Sequence, residues 1–349
     1  MLRPKFAPNS SFSKELKESV EQYFSRNRID KRGNLNLNLK VLAVFIIFCT
    51  LFISSLYFNL SLVSLILAAS IIGILAGLIT AHAHESIHMA FSKKTWVNKL
   101  LANFMNLAGG SKEFYSKSHS LHHGYTNVND VDGDIDFKPF IRTNKNQQKH
   151  LWHRYQHVYT PFLYLFAGFF LVFDLKPLLY KKSDGFPKNL LALKKSEKIN
   201  FFVWKIIHFG LFLILPIVIL GLVKGLILYA LTVSFCGLYL ACLINPGHVN
   251  EKTVFSNSES SLNTDWVQNI IATTANFGQG NSLVNFLTAG LNYHLEHSLF
   301  PNVSQVHFKE LHKIIVNYLA DTDLQVADYK SFVEYFLSHL KYLKSVGQD

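Results

Sequence analysis

Apolar positions fall along this chain in long blocks, not at the period of an amphipathic helix or strand. After forty polar residues that carry nine Lys and Arg come two nearly uncharged runs, 41–58 and 61–80, separated only by Asn59 and Leu60. Each approaches the roughly 20 residues a helix needs to cross hydrocarbon. A second pair, 206–222 and 225–244, is joined by Val223 and Lys224. The pattern predicts an all-α integral membrane protein with four transmembrane helices in two hairpins. Residues 1–40 read as a cytosolic N-terminal arm without a signal peptide, and 41–349 as one membrane domain. A fifth stretch, 160–175, is shorter and is interrupted by Pro161 and Asp174. Were it a span, the Lys-rich segment after it would fall on the outer face, against the positive-inside rule. It is therefore expected to be an interfacial, half-buried helix. Four spans put both termini and the 81–200 loop on the cytosolic side, leaving Lys224 as the one basic residue opposite.

Composition agrees with a bilayer. Hydrophobic residues make up 49% of the chain and charged residues 16%, against about 25% charged in soluble domains. Disorder and an ordinary soluble fold are excluded. The net charge of +11 suits an anionic membrane face or an acidic partner. Cys49, Cys236 and Cys242 lie in apolar runs and form no disulfide framework or iron–sulfur pattern.

Histidine is the outlier, at 16 residues, mostly in short clusters. The second apolar run leads into His82-Ala-His84-Glu85-Ser86-Ile87-His88. His84 and His88, at i and i+4, share one helix face; His82 points away and reads as an interfacial side chain. Alone, HExxH would suggest a zinc protease with Glu85 as base. The second cluster, His119, His122 and His123, is followed by Asp130, Asp132, Asp134 and Asp136. That acidic run lacks the Gly and Glu positions of an EF-hand. Its carboxylates, with Glu85 and Glu296, are candidates to orient imidazoles from behind. His248 follows the last run, and His294 and His297 come later at i and i+3. Four spans would place these eight histidines in one His-rich cytosolic cap. Eight imidazoles exceed what a single zinc binds, which indicates two metal ions without naming the element.

At these residues the chain resembles the membrane fatty acid desaturase superfamily. HxxxH at 84–88, HxxHH at 119–123 and the third box at 294–298 carry the likeness. The runs HSLHHGYTN, 266–277 and GLNYHLEHSLFPNV, with the PKFA of the arm, extend it toward the bacterial linoleoyl-CoA desaturase-like and front-end branches. The resemblance implies two non-haem irons held by His84, His88, His119, His122, His123, His294 and His297. His248 is implied as an extra ligand and Asn245 as a water-mediated one. It implies O2-dependent desaturation of an acyl chain on a lipid or on an acyl-CoA or acyl-carrier thioester, with acyl hydroxylation as the alternative. The chain has neither an HPGG haem motif nor ferredoxin cysteines, so a separate ferredoxin or cytochrome b5-type protein is expected to supply electrons. Trp266, Asn276 and Phe277 are expected to shape the acyl channel. The expected location is a bacterial cytoplasmic membrane, with the active site facing the cytosol. One departure stands out: His297 is followed by Ser298 where the family pattern has a second histidine.

Overall fold

The computed structural model describes residues 3–257 and 261–349. The first two residues of the expected arm, and 258–260 of the expected membrane domain, lie outside the described residues. Among the described residues, four helices are long and apolar enough to cross a membrane: Leu35–Tyr57, Leu62–Ile87, Lys195–Leu220 and Leu222–His248. They are called the first to fourth spans here. The fold is mostly helical, with two short parallel strand pairs, Lys5–Phe6 with Ser261–Leu262 and Ala275–Phe277 with Ala327–Tyr329.

Every span is longer than its apolar run. The first begins at residue 35, because the Asn34 side chain accepts from the Leu37 N–H (2.9 Å) and so caps the helix ahead of the greasy block. The second and fourth continue past their apolar ends and carry His84 and His248 with them. The third changes to a π-helical turn at Gly210–Ile214. Large apolar side chains on the spans face outward, such as Ile53 (62% exposed), Leu67 (60%) and Val218 (75%). Such a surface is suited to lipid rather than water. The link expected at 223–224 falls instead at Gly221, between Leu220 and Leu222, and it meets the 58–61 link at one end, where the Lys224 ammonium donates to the Asn59 side chain (2.8 Å) and the Leu60 carbonyl (2.9 Å).

Small residues set the spacing of the bundle. A Cβ on Gly73 of the second span would come within 2.6 Å of the Thr232 carbonyl oxygen on the fourth, so the two backbones run in contact. The stretch expected as one helix at 160–175 is two, Gln156–Tyr164 and Ala167–Val172. The longer segments around them, Leu151–Tyr164 and Ala167–Leu179, are bent by 69°. The turn brings Gly168 against Val233 and Gly237 of the fourth span, an approach that a side chain on Gly168 or Gly237 would block. Thr160, Tyr164, Gly168 and Val172 face inward, whereas Phe162, Phe166 and Phe170 are exposed.

The N-terminal segment is docked and not a loose arm. Ser10 caps the helix Ser11–Asn27, and the hydroxyls of Ser10 and Ser13 both donate to Asp265 (2.6 and 2.7 Å). Leu16 joins a core with Val267, Ile270 and Leu295, and Phe24 packs with Phe308 and Leu311.

Gly237→Leu should force this crossing apart. Overpacking of this kind costs about 1–3 kcal/mol, so thermal unfolding in detergent should begin at a clearly lower temperature. Gly210→Ala, with open space around its Cβ, should melt like the parent. Equal melting of Gly237→Leu and parent would refute the close approach.

Candidate metal centre

Each histidine segment is placed by a different element. His84 lies in the last turn of the second span, and His88 caps it. The helix Lys112–Gly124, capped by the Ser111 side chain accepting from the Phe114 N–H (3.3 Å), carries His119, His122 and His123. His248 ends the fourth span, and the short helix His294–Leu299 carries His294 and His297. All eight converge, in two groups. His84, His88, His119, His123 and His297 each offer one ring nitrogen, and these atoms lie within 4.8 Å of one another. His122, His248 and His294 form the second group, with ring centroids 4.6 and 4.5 Å apart in succession.

The hydrogen bonds behind the rings decide where the lone pairs point. His119 donates Nδ1–H to Asp134 (2.9 Å), His122 to Asp132 (2.8 Å) and His248 to the Thr273 carbonyl (3.0 Å). With the proton fixed on Nδ1, Nε2 of the neutral ring is an acceptor. Yet Nε2 of His119 faces those of His84 at 2.6 Å and His123 at 3.0 Å, and Nε2 of His248 faces that of His294 at 3.2 Å. Nε2 of His88 and of His297 is buried with no hydrogen-bond partner. Ring nitrogens crowded this closely, two of them with no partner, are what a cation relieves, so the donor set fits metal ions bound between the rings.

Electrostatics agree for four of the rings and differ at His122. Burial, reinforced by the neighbouring rings, holds His119, His123, His294 and His297 well below the ordinary imidazole range, hence neutral. Burial also opposes charge on His122, but the Asp132 carboxylate outweighs it and lifts that ring to about 8. Asp132 is itself placed by the Thr-Asn tail of the second box. Asn127, at φ 57°, donates its N–H to Asp132 (2.9 Å), and its side-chain amide donates to the carbonyls of His248 (2.8 Å) and Val254 (2.9 Å).

The other expected carboxylates turn away from the rings. Glu85 accepts from the Ser304 hydroxyl (2.6 Å), the Gln305 N–H (3.0 Å) and the Gln305 side chain (2.5 Å). Its lone pairs are spent there, so it does not stand as the base of a zinc protease. Glu296 takes the Nδ1–H of His312 (2.7 Å), a partner that sequence spacing does not reveal. His82 is buried against Gln305 and Phe286 instead of lying at an interface. Tyr115, one turn before His119, stacks on that ring at 5.0 Å; its i, i+4 spacing was a readable signal.

A cavity of about 300 Å³ opens from the histidines into the bundle. His84, His119, His122, His248 and His294 form its polar end, with Asn245 beside them, and beyond them its wall is almost wholly apolar. Trp266, Asn276 and Phe277 do not line it. The Trp266 indole donates to the His123 carbonyl (2.8 Å), Asn276 accepts from the Leu295 N–H (2.8 Å), and Phe277 packs on Tyr335. They support the histidine segments from outside. Ser298, one turn after His294, is fully buried and its hydroxyl has no partner.

The family model described as fatty acid desaturase matches residues 60–330. The chain is 28% identical to an acyl-lipid (8-3)-desaturase of Physcomitrium patens, over 98% of this chain and 72% of that protein. It is 25% identical to the sn-1 linoleoyl-lipid 6-desaturase of Synechocystis sp., over 99% of this chain and 98% of that protein. It is 28% identical to a probable Delta(5) fatty acid desaturase C of Dictyostelium discoideum, over 99% and 78%. With the family model matching most of its length, this chain belongs to the fatty acid desaturase family.

Proposed function

We propose that the protein is a di-iron, O2-dependent desaturase acting on a fatty acyl chain carried by a membrane lipid. The observation that carries this reading is the split of eight imidazoles into a group of five and a group of three, with rings of both groups at the polar end of one apolar cavity. His84, His88, His119, His123 and His297 hold one iron. His122, His248 and His294 hold the other, with Asn245 acting through water and Ser298 supplying no nitrogen. Iron, when bound, supplies the oxygen chemistry that an unactivated C–H bond requires. The protein's part is positional. Asp132, Asp134 and the Thr273 carbonyl fix the tautomers of His122, His119 and His248 and hold their lone pairs inward. The cavity strips water from the acyl chain and presents its methylenes beside the imidazoles. Removing two hydrogens while O2 becomes two waters consumes two electrons and two protons from outside. A separate donor of ferredoxin or cytochrome b5 type delivers the electrons, and the basic face of the protein suits an acidic partner. The relative from Synechocystis, matched over nearly its whole length, is named for a linoleoyl lipid, and that supports a lipid carrier.

The same reading gives the topology. The four spans form two hairpins whose tight links, bridged by Lys224 and Asn59, face away from the histidine cap. Both termini and the cap are cytosolic, in the cytoplasmic membrane of a bacterium. Residues 1–40, the last six of which already begin the first span, are a cytosolic segment leading into a single membrane domain, and the bent pair at 156–172 lies at the interface.

Two experiments test these statements. Expressed in a host lacking the product, the protein should yield a new unsaturated acyl lipid. His122→Ala should lose that product by at least about 10–100-fold through weakened metal binding, with His150→Ala as the control. Undiminished product from His122→Ala would refute the shared site. For topology, single cysteines at positions 125, 190 and 300 should all label from the cytosolic side, whereas outer-face labelling at 190 alone would make the bent segment a fifth span.

A further inference from the structure

The cavity has a defined inner end. On the fourth span its wall follows one helical stripe from His248 through Ala241, Gly237 and Val233 to Tyr229. Tyr229 lies nineteen positions before His248, about 28 Å down the helix at 1.5 Å per residue. There three elements are tied across the passage. His208 of the third span donates Nδ1–H to the Leu107 carbonyl (2.8 Å), and its Nε2 accepts from the Tyr229 hydroxyl (3.1 Å). Phe212, in the π-helical turn just after His208, stands at 5.2 Å from Phe52 and 6.3 Å from Phe48 and closes the side toward the first span. Beyond Tyr229 the helices meet, and a Cβ on Gly225 would come within 2.6 Å of Ile217.

An imidazole and a phenol inside a bilayer are costly unless satisfied, and such groups usually serve a purpose there. Both donors here are spent on each other and on the Leu107 carbonyl, so no hydrogen bond is left to give to an occupant. His208 and Tyr229 are both buried, and both border the cavity. What they present to it is ring surface, held rigidly by hydrogen bonds that apolar side chains would not make. A rigid ring wall at the end of an apolar tube fits a methyl terminus.

We propose that the Leu107–His208–Tyr229 crossbar is the chain-length stop of this enzyme: it receives the methyl end of the acyl chain and sets the longest tail that can lie beyond the metal centre. The inference rests on the desaturase reading above. The stop limits length only. The double bond is placed by the distance from the lipid head to the histidines, which the crossbar does not touch.

The test reads the acyl chains of products made in cells and, separately, those of the lipids that copurify with each protein. Tyr229→Ala removes the wall. With the steric stop gone, tails too long for the parent cavity fit, so the ratio of longer to shorter chains should rise, with bond position from the carboxyl end unchanged. His208→Ala should shift the same way, because the phenol loses its anchor. Val233→Phe, one turn nearer the histidines, should shift both profiles to shorter chains, and it keeps the test open should the alanine variants not fold. Unchanged length profiles in folded Tyr229→Ala and Val233→Phe, or a moved double bond with unmoved length, would overturn the proposal. Absence of unsaturated product from the parent protein would instead overturn the desaturase reading, and the copurified lipids would still judge the stop.

Discussion

The hydrogen bonds behind three imidazoles govern the rest of the structure. By accepting from the outer nitrogens of His119, His122 and His248, Asp134, Asp132 and the Thr273 carbonyl turn the far side of each ring inward, where ring nitrogens crowd against one another. Burying such a set is unfavourable unless a cation sits among the rings. Much of the cap serves this arrangement. Asn127 ties the second histidine helix to the end of the fourth span, and Trp266 holds the His123 carbonyl. The docked N-terminal helix closes over both through Asp265, which in turn caps the helix that begins at Trp266.

The membrane part answers a different need. A reaction at one methylene of a flexible chain requires that chain to be straightened and fixed, and the narrowness of the cavity comes from glycines. Gly73, Gly168 and Gly237 let backbones touch where side chains would hold them apart. Close contact at these glycines borders the slot lined by the stripe that ends at His248. Site and slot are thus joined by a single helix, whose register fixes the depth of each lining residue relative to the histidines.

The local features were legible in the sequence. Apolar run length predicted the four spans, and i, i+3 and i+4 spacing predicted which imidazoles share a face. The alternating Asp132 and Asp134, visible in the sequence, each accept from a neighbouring ring. Features that depend on distant segments were not legible. Glu296 is adjacent to His297 in sequence, but a helix turns about 100° per residue, so its carboxylate leaves the ring group and finds His312. Glu85 is drawn to Ser304 and Gln305, more than two hundred residues away. The bend after Tyr164 sets Gly168 against Gly237 of the fourth span, a contact that no local pattern near Pro161 discloses. Trp266, Asn276 and Phe277 border the histidine segments, but from outside the cavity. The division of the histidines into five and three also required the fold, because adjacent His122 and His123 fall into different groups.

Metal content tests the central claim most directly. Protein purified without air or chelators should carry two irons per chain, and Mössbauer spectra should resolve two unequal environments, one richer in nitrogen than the other. A single zinc, or one metal ion per chain shared among all eight histidines, would contradict the account.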